Sequence, residues 1–388
     1  MDLCEWDAKS LLRAYGLPVP KSRLFDLSEG KPGEISASDI LKAQTLFGGR
    51  GKAGLVRRAG DTPMETLQEI GAALAERGLP QVLMIEEASE FEAEFYLSIV
   101  LDDVAGCPVI MFSSNGGVDI EENGDVKTFP LAADVSVRAQ DLVPFFIGAG
   151  VPAKTIGRLC RVACDLVRVF RSEDATMVEI NPLAATAEGR LIALDCKATL
   201  DDSAAFRHRD RNFALSQRLA DAKLSDYERE AREKNFILVQ SPGDVVLVTA
   251  GAGLGMMVSD LLQDAGFKAA TFFDNAAGAV GETAEARLDL AWRLAESDDI
   301  KAIMFYQALS TRDLAPRVLG LLERFKAAPP PKPFYFGLSA SFVAEKTMTA
   351  KAAREAITAA GYPAFEFPEE VVARMAADRD AGKMGRAA

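Results

Sequence analysis

The spacing of apolar and polar residues divides this chain into two regimes. Up to about residue 212 the apolar runs read as antiparallel strands and amphipathic helices. Trp6, Leu11, Leu12 and Tyr15 recur near helical spacing over residues 5–15, and Gly16 stops that helix. Residues 40–45, 81–87, 94–101 and 109–112 predict strands, and residues 63–78 and 152–171 predict helices. Beyond residue 235 the pattern becomes strand–loop–helix, the mark of a parallel sheet. Strands are expected at 244–249, 267–273, 300–306, 334–338 and 364–367, with helices at 256–265, 281–297 and 347–360. Ligands of such sheets sit beyond the carboxyl ends of the strands, here the loops after 249, 273, 306 and 338. Residues 212–235 are densely charged and read as a solvated helical linker. A boundary there gives domains of residues 1–235 and 236–388.

Around residue 188 the pattern is sharper. Residues 177–183 and 191–197 are apolar runs separated by Ala187, Glu188, Gly189 and Arg190, a polar break with a glycine for the reversal. In a hairpin centred on Glu188, Asn181 lies opposite Asp195 and Glu179 opposite Lys197. Cross-strand Cβ atoms are roughly 5 Å apart, and residues two apart share a face. An amide oxygen and a carboxylate meeting at one point suit a hard cation such as Mg²⁺, which takes its remaining ligands from water and phosphate. The same pattern also suits an amphipathic hairpin with a solvated polar face.

A second chemical signal follows the run at 40–45. Gly48, Gly49, Arg50, Gly51, Lys52, Ala53 and Gly54 form a glycine-rich stretch with two cations between strand-like runs. Glycines let backbone amides approach a polyphosphate, and Arg50 and Lys52 supply charge. The spacing is not that of a Walker A loop, and its setting suggests a hairpin lid; a plain glycine turn is the alternative. After the strand at 244–249, the Gly251–Gly255 stretch lacks the full dinucleotide fingerprint.

Composition narrows the classes of function. With 388 residues the chain is long enough for two or three domains. Its net charge of −13 argues against a nucleic-acid partner. No run approaches the roughly 20 apolar residues of a membrane span, and the acidic first residues lack the regions of a signal peptide. The five cysteines include no CxxC and suit a reducing cytoplasm; Cys160 and Cys164 read as neighbours on a helix. The single histidine, His208, stands between Arg207 and Arg209, which suggests an exposed loop.

Taken in order, the Tyr15-Gly16-Leu17-Pro18-Val19-Pro20 exit, Lys42 before the glycine-rich stretch, Glu179-Ile180-Asn181-Pro182-Leu183, Leu194-Asp195 and the Gly251–Leu254 turn resemble the β subunit of succinyl-CoA synthetase and related ADP-forming acid–CoA ligases. The resemblance runs nearly end to end. It implies an α/β chain with an N-terminal ATP-grasp domain of two α+β subdomains, the lid at about 21–95, followed by a flavodoxin-like parallel-sheet ligase domain. It further implies that Lys42 contacts the nucleotide phosphates and that Gly49, Arg50, Gly51 and Lys52 belong to the lid. Glu86 would meet the purine, Glu94 the ribose, and Glu179 would lie close to phosphoryl transfer, with Asn181 and Asp195 holding Mg²⁺. The nucleotide would be ATP or GTP. A partner α subunit would bind most of the CoA and carry a phosphohistidine, so His208 need not be the carrier. A helix starting within residues 308–313, capped by Ser310 or Thr311, would face that phosphohistidine.

The sequence departs from the family chiefly in the second domain. Ala250 replaces an asparagine, Ala276-Ala277-Gly278-Ala279-Val280 replaces a glycine-rich run, and Tyr306-Gln307-Ala308-Leu309 replaces Phe-Gly-Gly-Ile. New donors stand on the same loops: Gln307, Ser310, Thr311, Arg312, Ser339 and Ser341. These changes point to a small carboxylic acid other than succinate. The alternatives are an ATP-grasp carboxylate ligase acting alone and a non-catalytic nucleotide-binding regulatory subunit.

Overall fold

The computed structural model describes residues 1–30, 32–117, 126–132, 136–249, 251–274, 282–310 and 313–384. The chain forms two compact units, Met1–Lys223 and Leu224–Ala388. The dividing point falls inside the charged stretch 212–235, where two short helices form, Ala214–Asp221 and Asp226–Glu233.

The first unit is built on an antiparallel sheet in the order Asp2–Leu3, Cys196–Leu200, Ala175–Ala185, Ala93–Asp102, Cys107–Ser113 and Lys127–Pro130. Leu191–Ala193 also pairs with Ala175–Ala185. The expected register holds: Lys197 pairs with Glu179, Cys196 with Ile180 and Ala193 with Leu183. The ladder lapses at Leu194 and Asp195: the Leu194 N–H donates to the Pro182 carbonyl at 3.0 Å, but Pro182 has no N–H to give in return. Along Ala175–Ala185 the side chains alternate. Val178 and Ile180 are buried, whereas Met177, Glu179 and Asn181 face away from the core.

Helix Ala153–Ser172 covers the buried face. Ile156, Leu159, Cys160, Ala163, Leu166, Val167 and Phe170 recur three and four apart and enter the core with Val178 and Ile180. Cys160 and Cys164 lie on this helix, Cys160 buried and Cys164 half-buried, both as free thiols. Helix Ala139–Gly148, which the sequence pattern did not reveal, adds Leu142 and Phe146 to the same core.

A second antiparallel sheet, ordered Ser22–Asp26, Val82–Glu86, Ile40–Ala43, Val56–Arg58, packs Leu41, Leu83 and Ile85 against helix Pro63–Ala75. Residues one position along point to its opposite face. There Val82 joins Cys4, Leu215 and Leu219, so Lys42 and Glu86 share the side that meets helix Glu5–Ala14.

The second unit has a parallel sheet of Val245–Val248, Ala302–Leu309, Phe334–Ala340 and Ala364–Phe365. Thr271–Asp274 lies beside the first strand, joined through a parallel bridge between Val245 and Ala269. Read that way, the strand order is 2-1-3-4-5, a doubly wound arrangement. Helices Ala252–Asp264 and Pro368–Asp380 line one face, and Glu282–Ala295, Ala315–Ala327 and Ala350–Ala359 the other. Coverage on both faces explains the unbroken apolar run of Val245–Val248. Gly337 is required by packing: a Cβ there would lie 2.1 Å from the Tyr306 ring.

Among the boundaries that differ from the sequence reading, three have a clear local cause. Helix Ala252–Asp264 begins four residues before the expected 256, with Gly251 in its N-cap at positive φ. The second strand begins at Thr271 rather than 267, because Gly266 turns the chain and Phe267 is buried in the connection. The helix expected to start within 308–313 is corrected to Ala315–Ala327. The preceding strand runs on to Leu309, Leu314 holds the N-cap, and the Asp313 carboxylate accepts the Ala315 N–H. Ser310 is an exposed connecting residue whose carbonyl accepts from Ser341, and Thr311, Arg312, Ala250 and residues 276–280 lie outside the described residues. Among the described residues no helix is long and apolar enough to cross a membrane.

Leu166 is fully buried between helix and sheet. Leu166→Ala is expected to destabilise the protein by about 2–5 kcal/mol, read as a lower urea midpoint with an unchanged m-value.

Candidate functional site

Helix Glu5–Ala14 buries charge. Glu5 and Lys9, one turn apart, both point inward, and Lys9 is fully buried. The Lys9 ammonium lies 2.7 Å from Glu5 Oε1 and 2.5 Å from Glu86 Oε2. Lys42, from the second sheet, reaches the same two carboxylates at 2.9 and 2.7 Å. Both ammonium groups also donate to the carbonyl of Leu194, each at 2.6 Å. The second oxygen of Glu5 lies 2.7 Å from Arg50 Nη2. That nitrogen donates to both oxygens of Asp195, at 2.9 and 2.8 Å, while Nη1 donates to the Ala43 carbonyl at 3.0 Å.

Three carboxylates and three cations thus form one network. Its neutrality is what lets it be buried, since an isolated charge in such a place costs several kcal/mol. Burial alone would raise the pKa of Glu5. Lys9, Lys42 and Arg50 together hold it far below the usual carboxylate range. Desolvation works against Lys42 as well, yet Glu5, Glu86 and Asp195 raise its pKa above the ordinary lysine value.

Above this network lies a cavity of about 480 Å³. One wall is the glycine-rich loop from Phe47 to Lys52; the other is Tyr96, Gly117, Glu179, Asn181, Pro182 and Asp195–Lys197. Gly49 takes a positive φ of 74°, and Leu55 N–H returns to the Arg50 carbonyl at 2.9 Å, which closes the loop and leaves Lys52 exposed. The loop is anchored to the opposite wall by the Arg50–Asp195 pair.

Asn181 is oriented by Gly117. Its Oδ1 accepts the Gly117 N–H at 2.9 Å and its Nδ2 donates to the Gly117 carbonyl at 3.2 Å. Its neighbour Gly116 has no room for a side chain, because a Cβ would lie 2.8 Å from the Phe95 carbonyl. Tyr96 donates towards Glu179 at 3.5 Å and accepts from buried Ser98 at 3.0 Å. Asp195 keeps 40% of its side chain exposed.

The structure therefore brings Gly49, Arg50, Gly51, Lys52, Glu179, Asn181 and Asp195 to one cavity. It does not bring Lys42 or Glu86 to that wall: both are buried beneath it, paired with each other. Glu94 approaches Gly117 from the adjoining strand, its Oε2 3.4 Å from where a Cβ on Gly117 would be, and does not line the cavity. The sequence reading missed Glu5, Lys9 and Tyr96. The i, i+4 spacing of Glu5 and Lys9 was visible, but it also fits a solvated helix face. His208 is not on an open loop. It is mostly buried, with Nε2 2.7 Å from Asp174 Oδ2, in a separate recess.

The model of the ATP-grasp domain family matches residues 2–185. The β subunit of ADP-forming succinate–CoA ligase from Methanocaldococcus jannaschii is 34% identical over 313 residues, covering 78% of this chain and 81% of its own. This chain belongs to the succinate–CoA ligase β-subunit family. The corresponding subunit from Ignicoccus hospitalis aligns over all of both chains at 29% identity. The ATP citrate lyase of Methanothrix soehngenii, solved with citrate and coenzyme A, has the same fold, with a TM-score of 0.68 at 21% identity over 95% of this chain and 96% of its own.

Replacing Glu5 leaves three buried cations facing two carboxylates. Glu5→Gln is expected to cost about 3–5 kcal/mol at neutral pH, measured by urea unfolding. Because the folded pKa of Glu5 is depressed, its contribution is complete above about pH 4.3, the unfolded value, and is lost as pH falls through the folded one. The variant should lose that part of the acid limb.

Proposed function

We propose that this chain is the nucleotide-binding subunit of an ADP-forming ligase that joins a small carboxylic acid to CoA. It would work with an α subunit that carries a phosphohistidine and most of the CoA site. The observation that carries this reading is the cavity that sets a glycine-rich, cationic loop against the Asn181–Asp195 pair. Gly49 and Gly51 would let backbone amides reach the phosphates of ATP or GTP, with Lys52 adding charge from the loop. Lys42 would act from below the cavity and Arg50 from its wall, both balanced by Glu5, Glu86 and Asp195. Glu86 would act on the nucleotide through Lys42, and Glu94 through Gly117.

The donors fit Mg²⁺. Asn181 and Asp195 offer hard oxygens, Oδ1 of Asn181 retains a lone pair beyond the one given to Gly117, and Asp195 is open to the cavity. Among the described residues no group of three or more His, Cys, Asp or Glu forms a closed metal cage. The remaining ligands would come from phosphate and water, as is usual for this ion. Bound there, Mg²⁺ would offset the phosphate charge. Asp195 Oδ1 accepts from Arg50 and the Cys196 N–H, whereas Oδ2 accepts from Arg50 and retains a lone pair for the ion. Glu179, held beside Tyr96 and across from Lys197, would orient the attacking group at the terminal phosphate.

The carrier histidine belongs on the partner in this reading. The one histidine of the chain is held by Asp174 outside this cavity. Exposed Ser310 and the neighbouring Thr311 would meet the phosphohistidine from the second unit. The acid would be one other than succinate, since an alanine at position 250 and bulkier residues at 276–280 and 306–309 replace donors and glycines of the family pattern.

Asp195→Asn should weaken Mg·ATP binding at least tenfold in calorimetry while the far-UV spectrum stays unchanged. Unaltered affinity would remove Asp195 from the metal site. In the complete complex, label from γ-phosphate should appear on the partner subunit and not on His208. A coupled assay over short acids should rank succinate below at least one other acid; succinate as the best substrate would refute that assignment.

A further inference from the structure

The second unit contains a buried cation for which the reading above has no use. Arg287, on helix Glu282–Ala295, is 2% exposed. One of its terminal nitrogens donates to the carbonyl of Thr249, but its Nε has no hydrogen-bond partner among the described residues. Asp274 is near enough to favour its charge, yet makes no ion pair with it, and Asp274 Oδ1 is itself buried without a partner. Arg317 lines the same cavity as Arg287 and donates to Gln307 Oε1 at 3.1 Å; Gln307 is 5% exposed. Burial, reinforced by the Arg317 charge, draws the Arg287 pKa down to about 10. The first unit buries its cations in a neutral network, whereas here a guanidinium is buried beside a second one.

The location is informative. Thr249, Asp274 and Gln307 stand at or near the carboxyl ends of three neighbouring strands, where sheets of this order bind ligands. Arg287, Gln307 and Arg317 border a small cavity of about 50 Å³ whose other walls are Val248, Leu288, Phe305 and Leu321. That is room for a group little larger than a water molecule, whose share of liquid volume is about 30 Å³.

We propose that Arg287, Gln307 and Arg317 form a subsite for one carboxylate group of a short, mainly aliphatic acid. A guanidinium presents donors in a planar fork that matches a carboxylate, and Gln307 supplies an amide. Two guanidiniums with one carboxylate, Asp274, nearby leave a single positive charge, which one carboxylate balances and a doubly charged phosphate exceeds. The cavity has room for the carboxylate group itself, and its apolar walls disfavour a second charged group beside it. The subsite rests on the ligase reading only in naming the acid substrate as its occupant.

The test uses the full chain without nucleotide, CoA or partner. Acetate, propionate, butyrate and succinate, with inorganic phosphate and chloride as controls, are titrated at matched ionic strength by calorimetry and thermal shift. A monocarboxylate should bind one to one and raise Tm, and Arg287→Met should weaken that binding at least tenfold. If Arg287→Met fails to fold, Gln307→Leu and Arg317→Met give the same readout, each with a several-fold loss. No binding of any carboxylate to the wild-type chain, or equal binding by the folded variants, overturns the proposal. Phosphate binding in preference to every carboxylate overturns the carboxylate assignment. Mg·ATP is titrated in parallel. Its binding without carboxylate binding would reject the subsite alone, and carboxylate binding without nucleotide binding would reject the ligase reading alone.

Discussion

Glu5 is the point at which the first unit is tied together. Its two oxygens reach cations from three places in the chain: Lys9 one helical turn away, Lys42 on the second sheet, and Arg50 in the glycine-rich loop. Each of those cations pairs again, with Glu86 or Asp195. Buried ion pairs add little net stability compared with a well-packed apolar substitute, because desolvation offsets most of the attraction. What the network fixes is position. Removing any one member leaves an uncompensated charge, so helix, sheet, loop and hairpin are held in one arrangement.

The cavity depends on that arrangement. Arg50 reaches across to Asp195 and sets the distance between loop and hairpin. Asn181 is held independently, through both polar atoms of its amide, by the backbone of Gly117. Two of the polar groups on the hairpin wall therefore have fixed directions, and one of them, the Asp195 carboxylate, is already facing a cation. A site that brings together phosphate charge and a divalent ion needs this kind of preorganised charge.

The second unit handles charge differently. Its parallel sheet is covered on both faces by apolar clusters, packed closely enough that Gly337 is needed beneath the Tyr306 ring. Against this background Arg287 stands out, because nothing among the described residues forms an ion pair with it. A buried guanidinium without an ion pair among the described residues is costly to keep, and a ligand that pairs with it offsets that cost.

Local patterns carried much of the architecture. Period-two alternation and the polar break around Glu188 determined the register of the hairpin on either side of Asn181 and Asp195, and both residues line the same cavity. The glycine-rich loop was legible for the same reason: its composition states what its backbone can do. Apolar continuity at residues 245–248 identified a strand covered on both faces. Only the tertiary structure decided where the charges went. By local pattern Glu5, Lys9, Lys42 and Glu86 each fit an exposed position, because nothing local distinguishes a charge bound for water from one bound for a partner 77 residues away. Burial of a charge is settled by the presence of its counter-charge. That is a long-range property, and it placed Lys42 and Glu86 beneath the cavity and Arg50 against Asp195, while Arg287 forms no ion pair among the described residues.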